Sequence, residues 1–499
     1  MSGAMRASVS LLCLLCLLCA RAQTGLTRLT DGLGLDISLS GTASHGDYAP
    51  LWLSSNHYGL PSTESCSAYE RLQLQRPIAT DSLRKWRIGY ALDIALLQNN
   101  VSDFTIQQAY VEAAWKKLHL TVGAKEQPID LRNQELTSGG LSIGNNARPI
   151  PQVRGEADYF SIPLTNHWWK WRGRISFGRM TDDNWVEDHT TGTHSYTTGT
   201  LYHEKALYWK FGREDKFPLT FEIGLQMATE FGGTTYNATG RGYDEPTTLK
   251  HDSGIGAFVD ALLARGGDET DGTEKNTAGN HLGSYNMALT WQDEGWMARA
   301  YFERYFEDQS MLTLQYGIRD HLIGFEFSLR QPVAPVRGIV IEHLSTYDQS
   351  GAVYHDATST LPEKMNGRDN YYNHLLYNGW QHWGQTLGHP FLTSPVYTVD
   401  ENGQVSFCNN RVKAWHVALD GQPTAELYYK VKASFTRNWG TYSSPYADAL
   451  RQQYYLAEVR YAPRRAHGLR IGLAVGYDHG QVIGENFGAT LTLSQHFAL

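Results

Sequence analysis

Apolar and polar residues alternate through the last thirteen residues of the chain, FGATLTLSQHFAL, and Gln495 is the one polar residue at an apolar position. Because side chains alternate faces along a β-strand, one face of this segment is apolar and the other is polar. The segment 33–39, LGLDISL, shows the same alternation near the amino terminus. A barrel that spans a membrane closes by pairing its last strand with its first, which leaves no open edge. We therefore predict that segments 33–39 and 487–499 pair with each other.

Segments with the same period of two recur along the chain and predict an all-β fold. With weaker segments included, we expect about 16–18 strands in one transmembrane antiparallel outer-membrane β-barrel with long loops. The segment Ile255–Leu263 has helical spacing and predicts a short helix inside one long connection. The remaining predicted strands are Arg84–Leu96, Phe104–Ala114, Leu118–Ala124, Trp169–Arg179, Leu201–Phe211, Phe217–Met227, Tyr285–Trp291, Trp296–Tyr305, Ile323–Leu329, Gly338–His343, Ala414–Leu419, Leu427–Phe435, Tyr454–Tyr461 and Leu469–Tyr477.

The composition agrees with a barrel that is apolar outside and polar inside. Aromatic residues are abundant, with 29 Tyr, 17 Phe and 14 Trp, whereas apolar residues of all kinds make up only 41%. After the amino-terminal leader no apolar run is long enough for a transmembrane helix, so membrane insertion is expected through strands. The formal net charge is −8 and no basic stripe is present, which argues against a nucleic-acid partner.

The amino-terminal leader has the features of a secretory signal peptide. Arg6 supplies a positive charge, Leu11–Leu18 form a short apolar run, and Ala20-Arg21-Ala22 is a cleavage site of the A-x-A type. We predict a signal peptide over 1–22 and a single outer-membrane β-barrel domain over 23–499. The expected location of the mature protein is the cell outer membrane.

One motif resembles the nucleophile elbow of serine hydrolases. The stretch Gly140–Gly144 matches G-x-S-x-G, which requires a strand before the serine and a helix after it. Pro149 and Pro151 follow closely and exclude a helix at that place. We predict that Ser142 is not a nucleophile and that the protein is not an enzyme. A barrel esterase or lipase is kept as an alternative.

The loop Arg368–Gln385 has no strand alternation and combines aromatic side chains with Asn, Gln, His and Arg. Sugars are bound by this combination, because aromatic faces contact C–H surfaces while polar groups bond hydroxyls. The same residues could instead fold the loop into the lumen as a plug, and the two alternatives are compatible. The candidate polysaccharide-binding residues are Tyr371, Tyr372, Asn373, His374, Trp380 and Trp383 in this loop, with Arg148, Gln152 and Arg154 in a second irregular stretch, 125–156.

Metal and cofactor sites are not expected from the sequence. His374 and His382 could bind a metal ion, but no third ligand is suggested near them. We therefore predict no metal site and no cofactor.

Five stretches, in order along nearly the whole mature chain, carry a resemblance to a known family: 49–53, APLWL; 144–152, GNNARPIPQ; 203–208, HEKALY; 369–374, DNYYNH; and 379–384, GWQHWG. In these stretches the sequence resembles the Wzi-type capsule assembly protein family of Gram-negative outer membranes. The resemblance implies an 18-stranded barrel with periplasmic helical elements. It also implies a non-enzymatic surface lectin that helps assemble or attach capsular polysaccharide.

The expected partners are capsular or extracellular polysaccharide and outer-membrane lipid, and the protein is expected to be a monomer. A porin or diffusion channel remains as an alternative function. A porin would have an open lumen with charged walls, whereas the irregular loops favour a filled lumen.

Overall fold

The computed structural model describes residues 27–81, 84–240, 243–265, 279–307, 319–353, 360, 367–399 and 403–499. Within these ranges, eighteen strands form one antiparallel sheet that closes on itself, which confirms the predicted barrel with long loops and short helices. The predicted signal peptide lies outside the described residues. None of the helices in the described ranges is long and apolar enough to cross a membrane.

Strands are numbered here in chain order, and five of them lie outside the barrel. The barrel strands are β1 (Gly34–Tyr48), β2 (Glu64–Arg76), β3 (Trp86–Gln98), β4 (Phe104–Trp115), β5 (Leu118–Ala124), β6 (Gln152–Ser161), β7 (Trp169–Arg179), β9 (Leu201–Phe211), β10 (Leu219–Phe231), β13 (Asn280–Gln292), β14 (Trp296–Glu307), β15 (His321–Leu329), β16 (Ala334–Ser345), β19 (Val412–Thr424), β20 (Leu427–Gly440), β21 (Pro445–Tyr461), β22 (Leu469–Gly480) and β23 (Asn486–Ala498). Outside it lie β8 (Tyr196–Thr198), β11 (Thr234–Gly240), β12 (Tyr243–Lys250), β17 (Gln381–His382) and β18 (Gln385–Thr386). The helices are Thr27–Thr30, Leu51–Ser54, Ile78–Asp81, Trp185–His189, Ile255–Leu263 and Pro395–Tyr397.

The barrel closes between its first and last strands, as predicted. β1 pairs antiparallel with β23 over twelve consecutive residue pairs. Hydroxyl groups add hydrogen bonds across this seam, at 3.0 Å between Ser40 and Thr492 and at 2.8 Å between Thr42 and Thr490. The seam therefore leaves neither strand with a free edge along these pairs.

The barrel wall is apolar outside and polar inside. On β3, Trp86 and Leu92 are 67% and 47% exposed on the outer face, whereas Asp93 is fully buried on the inner face. The lumen also encloses Glu303 and Glu342, each 2% exposed. A soluble domain would bury its apolar face, so this arrangement is the one expected of a barrel that spans a membrane.

The connections differ in length between the two ends of the barrel. At the end that holds Gly34 and Ala498, they are short, and only Lys116-Lys117 joins β4 to β5. At the other end they include the long segments 125–151 and 346–411. Bacterial barrels have short periplasmic turns and longer extracellular loops, so the end with the long segments is extracellular.

Two connections, residues 49–63 and 125–151, and residues 367–399 of a third fold into the lumen. These three segments together are called the plug below. Arg132 of the plug forms a buried ion pair with Glu303 of β14. Trp52 of the plug donates from Nε1 to Ser434 Oγ of β20 at 3.2 Å. Buried apolar residues of all three segments share one core cluster with inward-facing residues of the wall. The plug is therefore packed against several parts of the barrel.

Two barrel strands, β2 and β6, are not predicted by the sequence pattern. β2 carries Glu64 and Glu70 on its outer face, which interrupts the apolar alternation. The prediction that 125–156 is irregular is wrong over its last five residues, because β6 begins at Gln152. The outer face of β6 carries Gly155, which also weakens the pattern. The candidates Gln152 and Arg154 therefore lie on the barrel wall rather than in a loop.

Candidate functional site

Three of the predicted aromatic residues are buried inside the plug. Tyr371, Tyr372 and Trp380 are at most 1% exposed. The Tyr371 hydroxyl donates to Asp320 Oδ2 at 2.9 Å, and Trp380 Nε1 donates to the carbonyl of Ser142 at 2.7 Å. These bonds occupy polar atoms that a sugar would need, so the three side chains hold the plug together.

Asn373 and His374 also bond within the plug and its flanking loop. The amide of Asn373 donates to the carbonyl of Phe407 at 2.8 Å and accepts from the N–H of the same residue at 2.9 Å. Nδ1 of His374 accepts from the N–H of Leu376 at 3.1 Å. Burial lowers the pKa of His374 to about 4, so this acceptor is unprotonated at pH 7.

The two candidates on β6 have different surroundings. Arg154 is 5% exposed and pairs with Glu204 at 3.0 Å and with Glu156 at 3.1 Å. Oε1 of Gln152 is buried and finds no hydrogen-bond partner in the described part of the chain. Arg154 is therefore neutralised by carboxylates of the wall.

Arg148 and Trp383, which come from separate segments of the plug, lie against each other. The guanidinium carbon of Arg148 is 4.4 Å from the centroid of the Trp383 ring. Nη1 of Arg148 donates to Ser102 Oγ at 3.1 Å, whereas its buried Nε and Nη2 have no hydrogen-bond partner among the described residues. Arg148 is 4% exposed, and burial lowers its pKa to about 10.

A buried guanidinium with two unpaired nitrogens is an unusual and costly arrangement. Hydroxyl or carboxylate oxygens of a ligand would pair with those nitrogens, and the partly exposed ring of Trp383 offers an apolar face beside them. Both nitrogens are buried, so a ligand reaches them only when neighbouring groups move. The Arg148–Trp383 pair thus provides both types of contact that a sugar residue uses.

His382 connects the segments that carry this pair. Its Nδ1 donates to the carbonyl of Arg148 at 2.9 Å, and its Nε2 accepts from the N–H of Thr181 at 3.1 Å. Burial lowers the pKa of His382 to about 4, which keeps this neutral tautomer at pH 7. Sequence reasoning considered His382 only as a metal ligand and missed Ser102, because the partners of both residues come from distant segments.

The serine motif does not form a nucleophile elbow. Ser142 is 1% exposed, and its hydroxyl donates to Glu303 at 3.1 Å. In another pair, Ser138 Oγ and His389 Nε2 are 3.0 Å apart, but the Ser138 hydroxyl donates to Glu342 rather than to the histidine. Both members of that pair are at most 1% exposed. In the described ranges no group of three or more His, Cys, Asp or Glu side chains is placed to hold a metal ion.

The closed barrel, the plug packed against its inner wall and its extracellular loops define a plugged outer-membrane β-barrel protein. Residues 53–393 match the family model described as capsule assembly protein Wzi. The chain therefore belongs to the Wzi capsule assembly protein family, as the sequence motifs predicted, and the outer membrane is its location.

Comparison with solved structures agrees with this assignment. The chain is similar to Escherichia coli Wzi, described as an outer membrane protein involved in group 1 capsule assembly and as a carbohydrate-binding β-barrel. The two are 13% identical with a TM-score of 0.56, and the match covers 96% of this chain and 88% of that one, which shows a common fold.

Matches to Pseudomonas aeruginosa OccK3 (OpdO) and OccK5 (OpdH) are weaker. The identities are 11% and 9%, with TM-scores of 0.45 and 0.46. These matches cover 95% and 93% of this chain, and 98% and 97% of the other chains. No curated protein matches the sequence.

Proposed function

We propose that this protein binds capsular or extracellular polysaccharide at its extracellular end and helps assemble or attach it at the cell surface. The observation that carries the proposal is the Arg148–Trp383 pair, in which a partly exposed indole lies 4.4 Å from a buried guanidinium with two unpaired nitrogens. The carbohydrate binding described for E. coli Wzi, which has the same fold, supports it. We also propose that the protein acts as a monomer and needs no metal or cofactor.

The proposed recognition uses the two faces of a sugar residue. The C–H face of the ring packs on Trp383, while hydroxyl or carboxylate oxygens accept hydrogen bonds from Nε and Nη2 of Arg148. The contact stabilises Arg148 in particular. Its Nε and Nη2 are buried without a hydrogen-bond partner among the described residues, and the ligand supplies acceptors for both. Of the nine predicted residues, these two therefore form the centre of the proposed site.

The contents of the lumen support a binding protein better than they support a diffusion channel or an enzyme. A diffusion channel needs an open lumen, whereas here Arg132 and Trp52 attach the plug to the wall. A hydrolase needs an accessible nucleophile with a base beside it, and the hydroxyls of Ser138 and Ser142 instead donate to buried carboxylates. We therefore propose binding without chemistry.

The proposal is tested by titrating purified full-length protein with capsular polysaccharide fragments from its own host. Trp383→Ala removes the stacking face, and Arg148→Gln removes the guanidinium. We expect each variant to bind at least about tenfold more weakly, which is the usual effect of removing a central aromatic or arginine contact.

A matched control is Arg411→Gln, because Arg411 also stacks on aromatic rings at the extracellular end, 3.8 Å from the Tyr442 centroid. This control should bind like the wild type. Wild-type affinity in both Trp383→Ala and Arg148→Gln, with correctly folded barrels, would overturn the assignment of this site.

A further inference from the structure

Three basic side chains lie in a row on the outer wall at the extracellular end. Lys413 of β19 is directly opposite Arg437 of β20, and Arg437 is directly opposite Arg451 of β21. All three are exposed. Lys413 and Arg437 share their strand faces with the outward-facing Trp415 and Phe435, which places the row on the outside of the barrel. This set of three residues is called the basic row below.

The three residues of the basic row have no ion-pair partner within the described part of the chain. Like charges directly opposite each other on a sheet destabilise the strand pair. Several lumen-facing cations of the wall are paired, as Arg71 is with Asp93 at 2.5 Å and Arg337 with Asp420 at 2.6 Å. The ion pairs of the described residues include none with a member of the row. An anion from outside the chain would therefore remove an unfavourable interaction.

The row lies at the depth of lipid headgroups. Trp415 and Phe435, one strand repeat closer to the middle of the wall, are 57% and 45% exposed. Aromatic residues on the outer wall of a membrane barrel mark the boundary between the acyl chains and the headgroups. Two residues of a strand span about 7 Å, which places the basic row just outside this boundary, on the extracellular side.

Aromatic rings beside the row hold its side chains in place. Lys413 Nζ is 4.7 Å from the Tyr347 ring centroid, and the Arg437 guanidinium carbon is 5.7 Å from that of Trp439. Such contacts restrain long basic side chains without neutralising their charge. The row is therefore partly organised for an anion before one binds.

We propose that the basic row binds the phosphate groups of a phosphorylated glycolipid in the outer leaflet. Arg437 and Arg451 each present a fork of N–H donors that fits phosphate oxygens, and Lys413 adds a point charge. The acyl chains of the same lipid then run along the apolar wall past Trp415 and Phe435. This contact is separate from the polysaccharide site proposed above, because it lies on the lipid-facing side of the wall and uses different residues.

The test compares full-length protein in zwitterionic detergent with and without lipid A, a diphosphorylated glycolipid, using native mass spectrometry and thermal melting. The wild type should retain lipid A and melt at a higher temperature in its presence, since a ligand of the folded state stabilises it. In the Lys413→Gln/Arg437→Gln/Arg451→Gln variant, lipid A affinity should fall at least about tenfold and the melting shift should disappear. Lipid A without its phosphates should bind the wild type as weakly as lipid A binds the variant.

The control removes three exposed cations from periplasmic turns, in Lys216→Gln/Arg330→Gln/Arg464→Gln. It makes the same change in net charge and should leave lipid A binding at the wild-type level. Equal loss in both triple variants would show a general charge effect and overturn the proposal, as would equal binding of the lipid without phosphates. If the triple variant of the row fails to fold, Arg437→Gln alone, in the middle of the row, should still weaken binding; unchanged binding in that variant would also overturn the proposal.

Discussion

Two tryptophans of the plug, Trp380 and Trp383, are three residues apart and have opposite surroundings. Trp380 is fully buried, bonds to the carbonyl of Ser142 and lies 6.0 Å from the ring of Tyr202. Trp383 is partly exposed and covers the guanidinium of Arg148. The first therefore stabilises the plug, while the second is available to a ligand.

Single substitutions should separate these two roles. Trp380→Ala should destabilise the packing of the plug by about 3–5 kcal/mol, because it leaves a large cavity and an unpaired carbonyl. Trp383→Ala should change stability much less and act on polysaccharide binding. Protease digestion of the plug measures the first effect, and heat-modifiable gel mobility reports whether the barrel stays closed. A protease-resistant Trp380→Ala plug would contradict this distinction.

Residue types in the loop Arg368–Gln385 could be recognised from the sequence, but their surroundings could not. Whether an aromatic side chain is buried depends on partners such as Asp320 and Ser142, which lie far away in the chain. Side-chain chemistry alone predicts sugar binding and plug packing equally well. The structure distinguishes sugar binding from plug packing, because it shows which face of the loop contacts the wall of the barrel.

At the level of elements, alternation predicts where strands occur, but only some of their bounds. The strand predicted as Tyr454–Tyr461, for example, begins at Pro445 in the structure. The predicted limits of β5, β7, β9 and the helix Ile255–Leu263 are those of the structure. Alternation fails for β2 and β6, where charged or very small residues occupy outward positions. Barrel pairing holds these two strands in place despite their sequence, since each is bonded on both sides.

Two buried neutral histidines, His382 and His389, predict that the plug loses stability in acid. Burial lowers the pKa of His382 to about 4 and that of His389 to about 3, from an ordinary value of 6.5. In both rings one nitrogen accepts a backbone hydrogen bond, from the N–H of Thr181 in His382 and of Phe391 in His389. Protonation of either ring would place its new N–H group against the backbone N–H from which the ring nitrogen now accepts. Protonation is therefore unfavourable in the folded plug.

Plug stability should therefore fall as the pH drops. Above pH 6.5 both histidines are neutral in the folded and unfolded states. Between pH 6.5 and 4 the unfolded segment takes up protons first, which removes about 3 kcal/mol of stability for each histidine. Protease sensitivity of the plug, measured from pH 7.5 to 4 while gel mobility confirms a closed barrel, should rise in this window.

Substitution of the two histidines tests the cause. His382→Gln and His389→Gln should each reduce the pH dependence, because the amide does not titrate there. The remaining part belongs to the other buried histidines of the plug, such as His374, whose pKa burial also lowers to about 4. His167→Gln, at an exposed position in a periplasmic turn, should leave it unchanged. An acid response that is identical in all three variants and the wild type would show that other groups are responsible.

For the whole molecule, the closed wall and the plug have different origins in the sequence. Period-two strands predict the wall and the seam between β1 and β23, since each strand carries its own apolar face. The plug has no period to detect. Its position depends on buried pairs such as Arg132–Glu303, which join a loop to a strand 171 residues away. Long-range polar contacts of this kind are not encoded in any local pattern.

The central claim is that the extracellular end of this barrel holds polysaccharide at the cell surface. The most direct measurement is the fraction of capsular polysaccharide that remains attached to cells of a deletion strain carrying the wild type, the Arg148→Gln/Trp383→Ala variant or the Arg411→Gln control. We predict that total polysaccharide stays the same in all three strains, whereas the attached fraction falls only with the double variant. An attached fraction at the wild-type level, with the double variant folded in the outer membrane, would contradict the claim.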